Sequence, residues 1–594
     1  MNTFEIREEF LLNGRPFRIL SGAVHYFRIP REYWEDTLYN LKAMGFNTVE
    51  TYIPWNLHEP EEGVFDFSEE KDVEAFVRLA QKMGLWVILR PAPYICAEWE
   101  FGGLPAWLLR YPDLKVRTED PLFLSKVRAY YEVLFARIKS LQITEGGPVL
   151  MMQVENEYGS YGNEKSYLRA LVRMMRECGA SVELFTSDGG WDAALEAGSL
   201  IEDGVLPTVN FGSGSAENLD ALERFMEKHG KKLPLMCMEF WDGWFNCWGE
   251  AVIRRDARDA AEEVKAVLQR ASVNLYMFQG GTNFGFYNGC SANGDQELPQ
   301  ITSYDYDAVL TEWGEPTEKF YRIQEAVHER FPEQETLPPR DRSRAGYDAA
   351  PLTGSASLRS CLDRLSIRQN SAHPMPMEEA GSGYGYILYR TEVEGFGALM
   401  KVKVVRAGDR VKIYLNGTYI AAQCGDEIGE EITMEFRRGT NVLEILAENL
   451  GRVNYGPRLA APTQKKGIWG GVMVDIHFES GWEQYALDLK EISGIPFEAD
   501  GEGCTDEMPV FLRYELLAER PRDTFLDLRS FGKGCVFVNG RNIGRYWNRG
   551  PVGYLYVPGV FLHKGRNEIV IFETEGIFPE ALPTRDRPVY FTES

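Results

Sequence analysis

The sequence lacks the features that mark several large classes of protein. It has no apolar run near the length of about 20 residues that a membrane-spanning helix needs, and its first residues show no basic segment followed by an apolar one. Its 64 basic residues are outnumbered by 89 acidic ones, which gives a net charge of −25. Because phosphate groups are bound by basic surfaces, we expect neither a nucleic-acid nor a membrane partner.

Cysteine is also sparse and without pattern. The nine cysteines are scattered, odd in number and include no Cys-x-x-Cys pair, which argues against both a disulfide framework and a zinc site. Buried structural thiols are the expected role. Together with the missing secretory signal, this cysteine usage favours the reducing cytoplasm as the location.

The first 330 residues have the pattern of one large α/β domain. At 594 residues the chain is too long for a single hydrophobic core, so two to four domains are expected. Short apolar runs alternate with helical patterns, as in βαβ units, and eight such runs predict a (β/α)8 TIM barrel over residues 1–330. The predicted strands are Phe17 to Ala23, Asn47 to Ile53, Trp86 to Leu89, a fourth from Val149, Val182 to Thr186, Thr208 to Phe211, Leu235 to Glu239 and Asn274 to Gln279.

Beyond the barrel the pattern of the sequence changes. Residues 331–350 are rich in Pro, Arg, Asp and Glu and are predicted to be a linker. Residues 351–480 and 481–594 then show short alternating strands and many glycines, which predict two all-β domains of the jelly-roll or β-sandwich type. Sharing of strands from 351–370 between these two domains is one arrangement that the pattern allows.

An internal repeat supports two β-domains. Val411–Gly417 followed by Arg438–Ile445 recurs in degenerate form as Cys535–Gly540 followed by Lys564–Ile571. Each first segment ends in Asn-Gly, the strongest short hairpin signal. We therefore expect two related units built on the same kind of hairpin.

Two of the predicted barrel strands end in glutamate. Val149–Met152 is followed closely by Glu155 and Glu157, and Leu235–Met238 runs directly into Glu239. The C-terminal ends of barrel strands meet at one face, where such barrels carry their catalytic residues. An isolated Glu-x-Glu is more often a solvated loop, but a second strand with the same ending predicts a pair of opposed carboxylates.

Opposed carboxyls at a barrel mouth are suited to glycoside hydrolysis. In a retaining enzyme the two groups lie about 5–5.5 Å apart, one as acid and the other as nucleophile. Glu239 could pair with Glu155 or Glu157, and the strand pattern does not choose, because side chains two positions apart point the same way. Aromatic residues, which stack on sugar rings, accompany them near the strand ends: Tyr52, Trp55, Tyr94, Trp99, Trp107, Tyr158, Phe240, Trp241, Trp244, Tyr304 and Tyr306.

Four segments resemble glycoside hydrolase family 35, the β-galactosidases. They are Thr51–Pro60, Arg90–Leu108, Gln153–Tyr161 and Thr302–Ala308. The resemblance, to the bacterial intracellular type, implies a retaining enzyme that removes terminal β-galactose without a metal or other cofactor. It also implies a last β-domain of the galactose-binding type.

The resemblance also implies a role for particular residues. Glu157 looks like the acid/base, Asn156 like the residue that binds the sugar 2-hydroxyl, and Glu239 like the nucleophile. Galactose contacts are implied for Tyr52, Cys96, Ala97, Glu98 and Tyr306, with Cys96 and Ala97 acting through their backbone. Supporting positions behind these contacts are Arg90, Tyr304 and Asp305.

Three further aromatic residues are predicted to contact the leaving group of the substrate. Trp241 and Trp244 follow the predicted nucleophile and could form a narrow slot that Tyr455, from the first β-domain, closes. Such a slot predicts short substrates, such as β-1,3-linked galactosides of N-acetylhexosamine. The oligomeric state stays open, with a homodimer as one expectation.

Alternatives exist for the site and for the function. His25 and His58, with Glu59 and Cys96, could be read as a metal cluster, but their spacing matches no known site and buried, hydrogen-bonded histidines are expected instead. A different exo-glycosidase of the same barrel, such as an exo-β-glucosaminidase, is a rival function. A silent carbohydrate-binding scaffold is another, which the two intact glutamates disfavour.

Overall fold

The computed structural model describes residues 2–498 and 508–591. After a small antiparallel sheet of β1 (Phe4–Ile6), β2 (Phe10–Leu12) and β3 (Arg15–Pro16), eight parallel strands form a closed barrel. Neighbours in the chain are neighbours in the barrel, and the last strand pairs with the first. The barrel strands are β4 (Leu20–Val24), β5 (Thr48–Tyr52), β6 (Trp86–Arg90), β7 (Val149–Gln153), β8 (Glu183–Gly189), β9 (Leu206–Phe211), β10 (Met236–Trp241) and β11 (Ser272–Gln279).

The structure confirms all eight predicted barrel strands. Most of their residues are buried, because side chains of a parallel barrel face either its filled interior or the surrounding helices, which is why these strands read as continuous apolar runs. The first strand begins at Leu20, not at Phe17. The amide of Phe17 instead donates to the carbonyl of Phe10, at 2.8 Å, and so joins the N-terminal sheet.

Helices alternate with the barrel strands, and aspartates begin several of them. Asp120, for example, accepts hydrogen bonds from the amides of Leu122 and Phe123 at the start of α4. Among the described residues, no helix is both long and apolar enough to cross a membrane. The helices are α1 (Trp34–Ala43), α2 (Trp55–His58), α3 (Val73–Lys82), α4 (Pro121–Ile138), α5 (Lys165–Cys178), α6 (Asp192–Gly198), α7 (Ser215–Lys228), α8 (Ala257–Arg270), α9 (Glu318–Arg330) and, after the barrel, α10 (Leu358–Leu365).

Residues 331–349 contain no helix or strand and lie against the barrel. The amide of Leu337 donates to the carbonyl of Ala43, at 2.8 Å, and the amide of Arg340 donates to Asn40 Oδ1, at 2.7 Å. A hairpin of β12 (Cys290–Asn293) and β13 (Gln296–Pro299) follows β11 at the mouth of the barrel.

The first β-domain consists of a six-stranded and a four-stranded sheet whose side chains share one buried cluster. The six-stranded sheet has the order β15-β26-β16-β22-β19-β20 and the four-stranded sheet the order β21-β17-β24-β25. The bounds are β15 (Gln369–Ser371), β16 (Tyr386–Gly395), β17 (Ala398–Val404), β18 (Ala407–Gly408), β19 (Arg410–Leu415), β20 (Thr418–Cys424), β21 (Ile432–Phe436), β22 (Gly439–Glu448), β23 (Gly467–Ile468), β24 (Val472–Val474), β25 (His477–Phe478) and β26 (Trp482–Leu487).

The second β-domain takes one strand from an earlier part of the chain. Its sheets have the orders β30-β29-β32-β27-β14-β33 and β31-β28-β34, and β14 pairs with β27 of this domain. The bounds are β14 (Ala350–Ser357), β27 (Val510–Ala518), β28 (Thr524–Asp527), β29 (Lys533–Val538), β30 (Arg541–Trp547), β31 (Tyr554–Val557), β32 (Gly565–Glu573), β33 (Ala581–Leu582) and β34 (Thr584–Arg585).

The repeated Asn-Gly segments form equivalent hairpins. Asn416 and Asn539 both have positive φ angles, 53° and 49°. Each side-chain amide donates at 2.9 Å to the carbonyl oxygen of a second asparagine, Asn441 in one domain and Asn567 in the other. The two β-domains therefore share the same local hairpin structure.

Candidate active site

A pocket of about 210 Å³ opens at the C-terminal face of the barrel strands. All the predicted catalytic and substrate-contacting residues line it, along with five that were not predicted. The lining consists of Tyr52, Cys96, Ala97, Glu98, Asn156, Glu157, Trp191, Glu239, Trp241, Trp244, Phe245, Tyr276, Ser291, Tyr306, Asn454 and Tyr455.

Glu239 lies on β10 and is surrounded by hydrogen-bond donors. Arg90 Nη2 is 2.5 Å and the Tyr52 hydroxyl 2.7 Å from its Oε1, and the indole nitrogen of Trp241 donates to its Oε2 at 3.1 Å. Arg90 also faces the buried carboxyl of Glu50, at 3.9 Å. A cation and two neutral donors stabilise the ionised form of the Glu239 carboxyl, the form that a nucleophile needs.

The chain turns sharply after β7, and this turn separates the two glutamates that the sequence could not distinguish. Glu155 is buried in a two-bond ion pair with Arg117, at 2.8 and 2.9 Å, and so points away from the pocket. Glu157 has a φ of 46° and ψ of 40°, and its carboxyl lines the pocket. The regular alternation of a strand has therefore ended before Glu157.

The environment of Glu157 favours its protonated form. Burial, followed by the charge of Glu239, raises the pKa of the Glu157 carboxyl well above its ordinary range. A hydrogen bond from Asn210 Nδ2 to Glu157 Oε1, at 2.9 Å, opposes this rise. A carboxyl with a raised pKa keeps its proton near neutral pH and can act as a general acid.

Asn156 lies between Glu155 and Glu157 in the sequence, and its side chain is held in one orientation. Its Oδ1 accepts from Arg90 Nη2 at 2.8 Å and from Gln153 Nε2 at 3.1 Å, and its Nδ2 donates to the carbonyl of Ile95 at 3.4 Å. The Tyr52 hydroxyl, 3.0 Å from Asn156 Oδ1, has one proton and can donate it either there or to Glu239.

One wall of the pocket is formed by three consecutive residues in left-handed conformation. Cys96, Ala97 and Glu98 have φ angles of 57°, 55° and 48°, a conformation that costs about 1–3 kcal/mol per residue and is found at functional sites. Arg28 Nη2 holds the carbonyl of Ala97 at 2.6 Å, and the Tyr304 hydroxyl donates to Glu98 Oε2. Burial raises the pKa of Glu98 to about 7, although the Tyr304 bond lowers it.

Aromatic rings form another part of the pocket lining. Trp241 and Trp244 meet edge to face with ring centres 5.6 Å apart, and the amide of Trp244 donates to the carbonyl of Tyr306 at 2.9 Å. Tyr455 reaches the barrel mouth from the first β-domain, and its hydroxyl donates to Ser160 Oγ at 2.9 Å. These residues frame the entrance to the pocket.

None of the three predicted supporting residues lines the pocket. Arg90 and Tyr304 each donate to a lining residue, Glu239 and Glu98 respectively, whereas the side chain of Asp305 is bonded to residues outside the lining. Its carboxyl lies 3.3 Å from Arg254 and accepts the amide of Glu312 at 2.8 Å. It therefore shapes the loop that carries Tyr304 and Tyr306 without facing the pocket.

Six residues at or next to the pocket were missed from the sequence. Trp191 and Asn210 lie at the ends of barrel strands, so the rule that revealed the glutamates could have found them. Asn454 precedes the predicted Tyr455 and donates to Cys96 Sγ at 3.4 Å. The remaining three, Phe245, Tyr276 and Ser291, had no motif that marked them.

His25 and His58 contact other side chains, which gives no support to a metal site. Nε2 of His58 is 2.5 Å from the Tyr26 hydroxyl, and Nδ1 of His25 is 2.7 Å from Arg28 Nη1. Burial lowers the pKa of His58 to about 4. Across residues 2–498 and 508–591, no group of three or more His, Cys, Asp or Glu could hold a metal ion.

Comparison with known proteins finds family matches in all three parts of the chain. Residues 9–330 match the model of glycosyl hydrolases family 35. Residues 374–488 match the β-galactosidase first all-beta domain, and residues 509–567 match the β-galactosidase galactose-binding domain.

Curated relatives are similar over almost the whole chain. β-Galactosidase-1-like protein 2 of Homo sapiens is 40% identical over 575 residues, which cover 95% of this chain and 88% of that protein. The β-galactosidase of Xanthomonas manihotis is 41% identical over 557 residues, covering 92% and 90% of the two chains. β-Galactosidase 17 of Arabidopsis thaliana is 35% identical over 612 residues, covering 96% and 87%.

Proposed function

Because the chain belongs to glycoside hydrolase family 35, the β-galactosidases, we propose that it removes terminal, non-reducing β-D-galactose from short oligosaccharides with retention of configuration. The single observation that carries the mechanism is the contrast between the two glutamates of one pocket. Arg90, Tyr52 and Trp241 donate to Glu239, whereas burial and the charge of Glu239 keep Glu157 protonated.

The first step forms a galactosyl-enzyme intermediate. The Glu239 carboxylate attacks the anomeric carbon while Glu157 gives its proton to the departing glycosidic oxygen. Bond formation neutralises Glu239, and the charge that raised the pKa of Glu157 disappears as Glu157 itself becomes ionised. The charge thus moves from one carboxyl to the other within the pocket.

The second step releases galactose. The Glu157 carboxylate takes a proton from a water molecule, whose oxygen attacks the anomeric carbon on the face that the leaving group vacated. The bond to Glu239 breaks, and both glutamates return to their starting charge. The two inversions together retain the β configuration.

Removal of one terminal sugar fits the size of the pocket. Its volume of about 210 Å³ lies below the range of about 300–1,000 Å³ for pockets that hold drug-sized ligands, so it suits a single sugar ring. The carboxyl of Glu98, anchored by Tyr304, offers a hydrogen-bond partner for the axial hydroxyl of galactose. Tyr306 and Asn156 supply further contacts for the ring.

A β-1,3 linkage to N-acetylhexosamine is our proposal for the preferred substrate. Trp241 and Trp244 form a corner that can hold the next sugar and its acetamido methyl group, and Tyr455 lines the same pocket. We expect Tyr455→Ala to reduce kcat/KM for this disaccharide about three- to tenfold, the effect of one lost aromatic contact. Equal loss for nitrophenyl β-galactoside would contradict a role specific to the second sugar.

The cytoplasmic location and the homodimer remain proposals. Location rests on the cysteine usage of the chain, and cell fractionation tests it. Sedimentation of the purified protein tests the dimer.

The mechanism is tested by hydrolysis of p-nitrophenyl β-galactoside by the wild type, Glu239→Gln and Glu157→Gln, with and without azide. We expect both variants to lose activity, by about 10²–10⁴-fold for the acid/base and by at least as much for the nucleophile. Azide should give α-galactosyl azide from Glu239→Gln and β-galactosyl azide from Glu157→Gln, because it replaces the missing nucleophile in one and attacks the intermediate in the other. An inactive wild type would contradict the proposed function.

A further inference from the structure

A second concavity adjoins the catalytic pocket. This groove, of about 540 Å³, shares the side chains of Trp191, Trp241 and Trp244 with the pocket, so the two spaces are continuous along these tryptophans. The rest of its lining comes from the end of β9 and the segment after it, from α7, from the turn after β10 and from the start of α8. These lining residues are Asn210, Phe211, Gly212, Ser213, Asn218, Gly243, Arg255 and Asp259.

The groove lies on the side from which the leaving group departs. Glu157 protonates the oxygen that joins galactose to the next sugar, so the rest of the substrate must extend past Glu157. Asn210, which donates to Glu157 at 2.9 Å, also lines the groove. A chain leaving the pocket beside Glu157 therefore enters the groove.

Trp191 presents a fixed aromatic surface to this groove. It lies two residues beyond β8, and 54% of its surface is exposed. Its ring lies on the backbone of Gly189, where an added Cβ would come within 2.0 Å of the ring, and its amide donates to the carbonyl of Gly189 at 2.9 Å. An indole that is held in place and yet exposed provides a flat apolar face on which a sugar ring can stack.

Polar groups border the same space. Arg255 donates to the carbonyl of Trp241 at 2.6 Å and to Asp259 Oδ2 at 2.9 and 3.0 Å, which fixes both charged side chains at the edge of the groove. Asn218 donates to the carbonyl of Ser213 at 3.1 Å. An aromatic face bordered by carboxylate, amide and hydroxyl groups suits a carbohydrate, which has both C–H faces and hydroxyls.

We propose that this groove binds the substrate beyond the sugar directly attached to galactose, with Trp191 stacking on one of these further sugar residues. The inference rests on the proposed function and extends it. The preferred substrates are then linear oligosaccharides of three or more sugars that end in β-galactose, and not disaccharides alone. Trp191 would determine the preferred length of the oligosaccharide, whereas the residues of the catalytic pocket would determine which terminal sugar is accepted.

The test compares a disaccharide with a longer substrate that contains it. We would measure kcat/KM for galactosyl-β-1,3-N-acetylglucosamine and for the linear tetrasaccharide that extends it by lactose at the reducing end. The wild type should prefer the tetrasaccharide, and Trp191→Ala should reduce the ratio of the two values about three- to tenfold, with Trp191→Phe in between. Phe396→Ala, which removes a 68% exposed aromatic ring from the turn between β16 and β17, is the matched control and should keep the wild-type ratio.

A binding measurement removes turnover from the comparison. In Glu239→Gln, calorimetry should give tighter binding of the tetrasaccharide than of the disaccharide, and the added Trp191→Ala should abolish the difference. An unchanged ratio in Trp191→Ala, or equal affinities in Glu239→Gln, would overturn the groove proposal. Failure of the wild type to hydrolyse p-nitrophenyl β-galactoside would instead contradict the proposed function, so the two failures are distinguishable.

Discussion

The ends of β7 and β10 carry the same residue type in opposite surroundings. Glu239 lies on its strand, where a cation and two neutral donors contact its carboxylate oxygens. Glu157 lies four residues beyond its strand, where one amide, from Asn210, donates to it. The side chains have identical chemistry, so only their surroundings distinguish them, and it is Glu157 whose pKa is raised by burial and by the charge of Glu239.

This difference is the physical basis for the two roles that we propose for one amino acid. Glu239 is stabilised as an anion by Arg90, a residue on β6. Its negative charge in turn helps to raise the pKa of Glu157. The protonation of Glu157 therefore depends on Glu239, and altering the surroundings of Glu239 should change the behaviour of both.

Removal of Arg90 should have the largest effect. In Arg90→Met, Glu239 and Glu50 lose the cation that lies between them, and breaking a buried pair costs about 3–5 kcal/mol. We expect kcat for p-nitrophenyl β-galactoside to fall about 10- to 150-fold, since one charge-assisted hydrogen bond contributes about 1.5–3 kcal/mol and about 1.36 kcal/mol is a factor of ten in rate. Arg90→Lys, which keeps the charge and loses the forked geometry, should lie between this variant and the wild type; a kcat within threefold of wild type in Arg90→Met would refute the assignment.

Glu155→Gln should lower the stability of the protein without changing a side chain of the pocket. Arg117 would lose its buried carboxylate, which should lower the free energy of unfolding by about 3–5 kcal/mol. Thermal unfolding at pH 7 measures this loss of stability. Azide should not raise the activity of Glu155→Gln, because Glu155 does not face the pocket.

Glu157→Gln is the matched control for Glu155→Gln. A carboxyl whose pKa is higher in the folded state binds a proton there that the unfolded chain has already released at pH 7, so it lowers stability as pH rises. The neutral amide removes this penalty, and the melting temperature of Glu157→Gln should equal or exceed that of the wild type. A large loss of stability in Glu157→Gln, with none in Glu155→Gln, would mean that the two environments have been exchanged.

The smallest predicted effect is a shift in pH dependence. The hydrogen bond from Asn210 lowers the pKa of Glu157, so Asn210→Ala should raise it. Because we propose that Glu157 acts as an acid in its protonated form, the fall of kcat/KM on the basic side should move to higher pH. Glu98 and Asp188, whose burial raises each pKa to about 7, also titrate in this range, so the shift is judged against a wild-type profile. A shift to lower pH would contradict the acid role.

Much of the barrel could be predicted from the sequence because its strands are buried on both sides. That burial requires continuous apolar runs, and such runs are visible without a structure. The same pattern located Glu239 at the end of its run. The apolar pattern also explains why the first strand was placed too early, since Phe17 is apolar but is bonded through its amide to the N-terminal sheet.

The choice between Glu155 and Glu157 could not be made from the strand pattern. It depends on a left-handed turn at Glu157 and on Arg117, whose ion pair with Glu155 joins residues 38 positions apart. No local motif marks that arginine. The resemblance to family 35 supplied the choice of Glu157, and the geometry gives a physical reason for it.

The contribution of the first β-domain to the pocket was also only partly predictable. Tyr455 was expected from its aromatic character, but Asn454, which contacts Cys96, was not. Contacts between distant parts of a chain depend on how domains pack together. Local sequence patterns carry little information about that packing.

The proposed division of roles is tested most directly by identifying the residue that becomes bonded to the sugar. A 2-deoxy-2-fluoro-β-galactoside with an activated leaving group slows both steps, and it should slow release of the sugar enough for the intermediate to accumulate. Proteolysis and mass spectrometry would then locate the fluorogalactosyl group. We predict this group on Glu239, and we expect Arg90→Met to acquire it far more slowly. A label on Glu157 or Glu155, or turnover without any label and with inversion of configuration, would contradict the division of roles between β7 and β10.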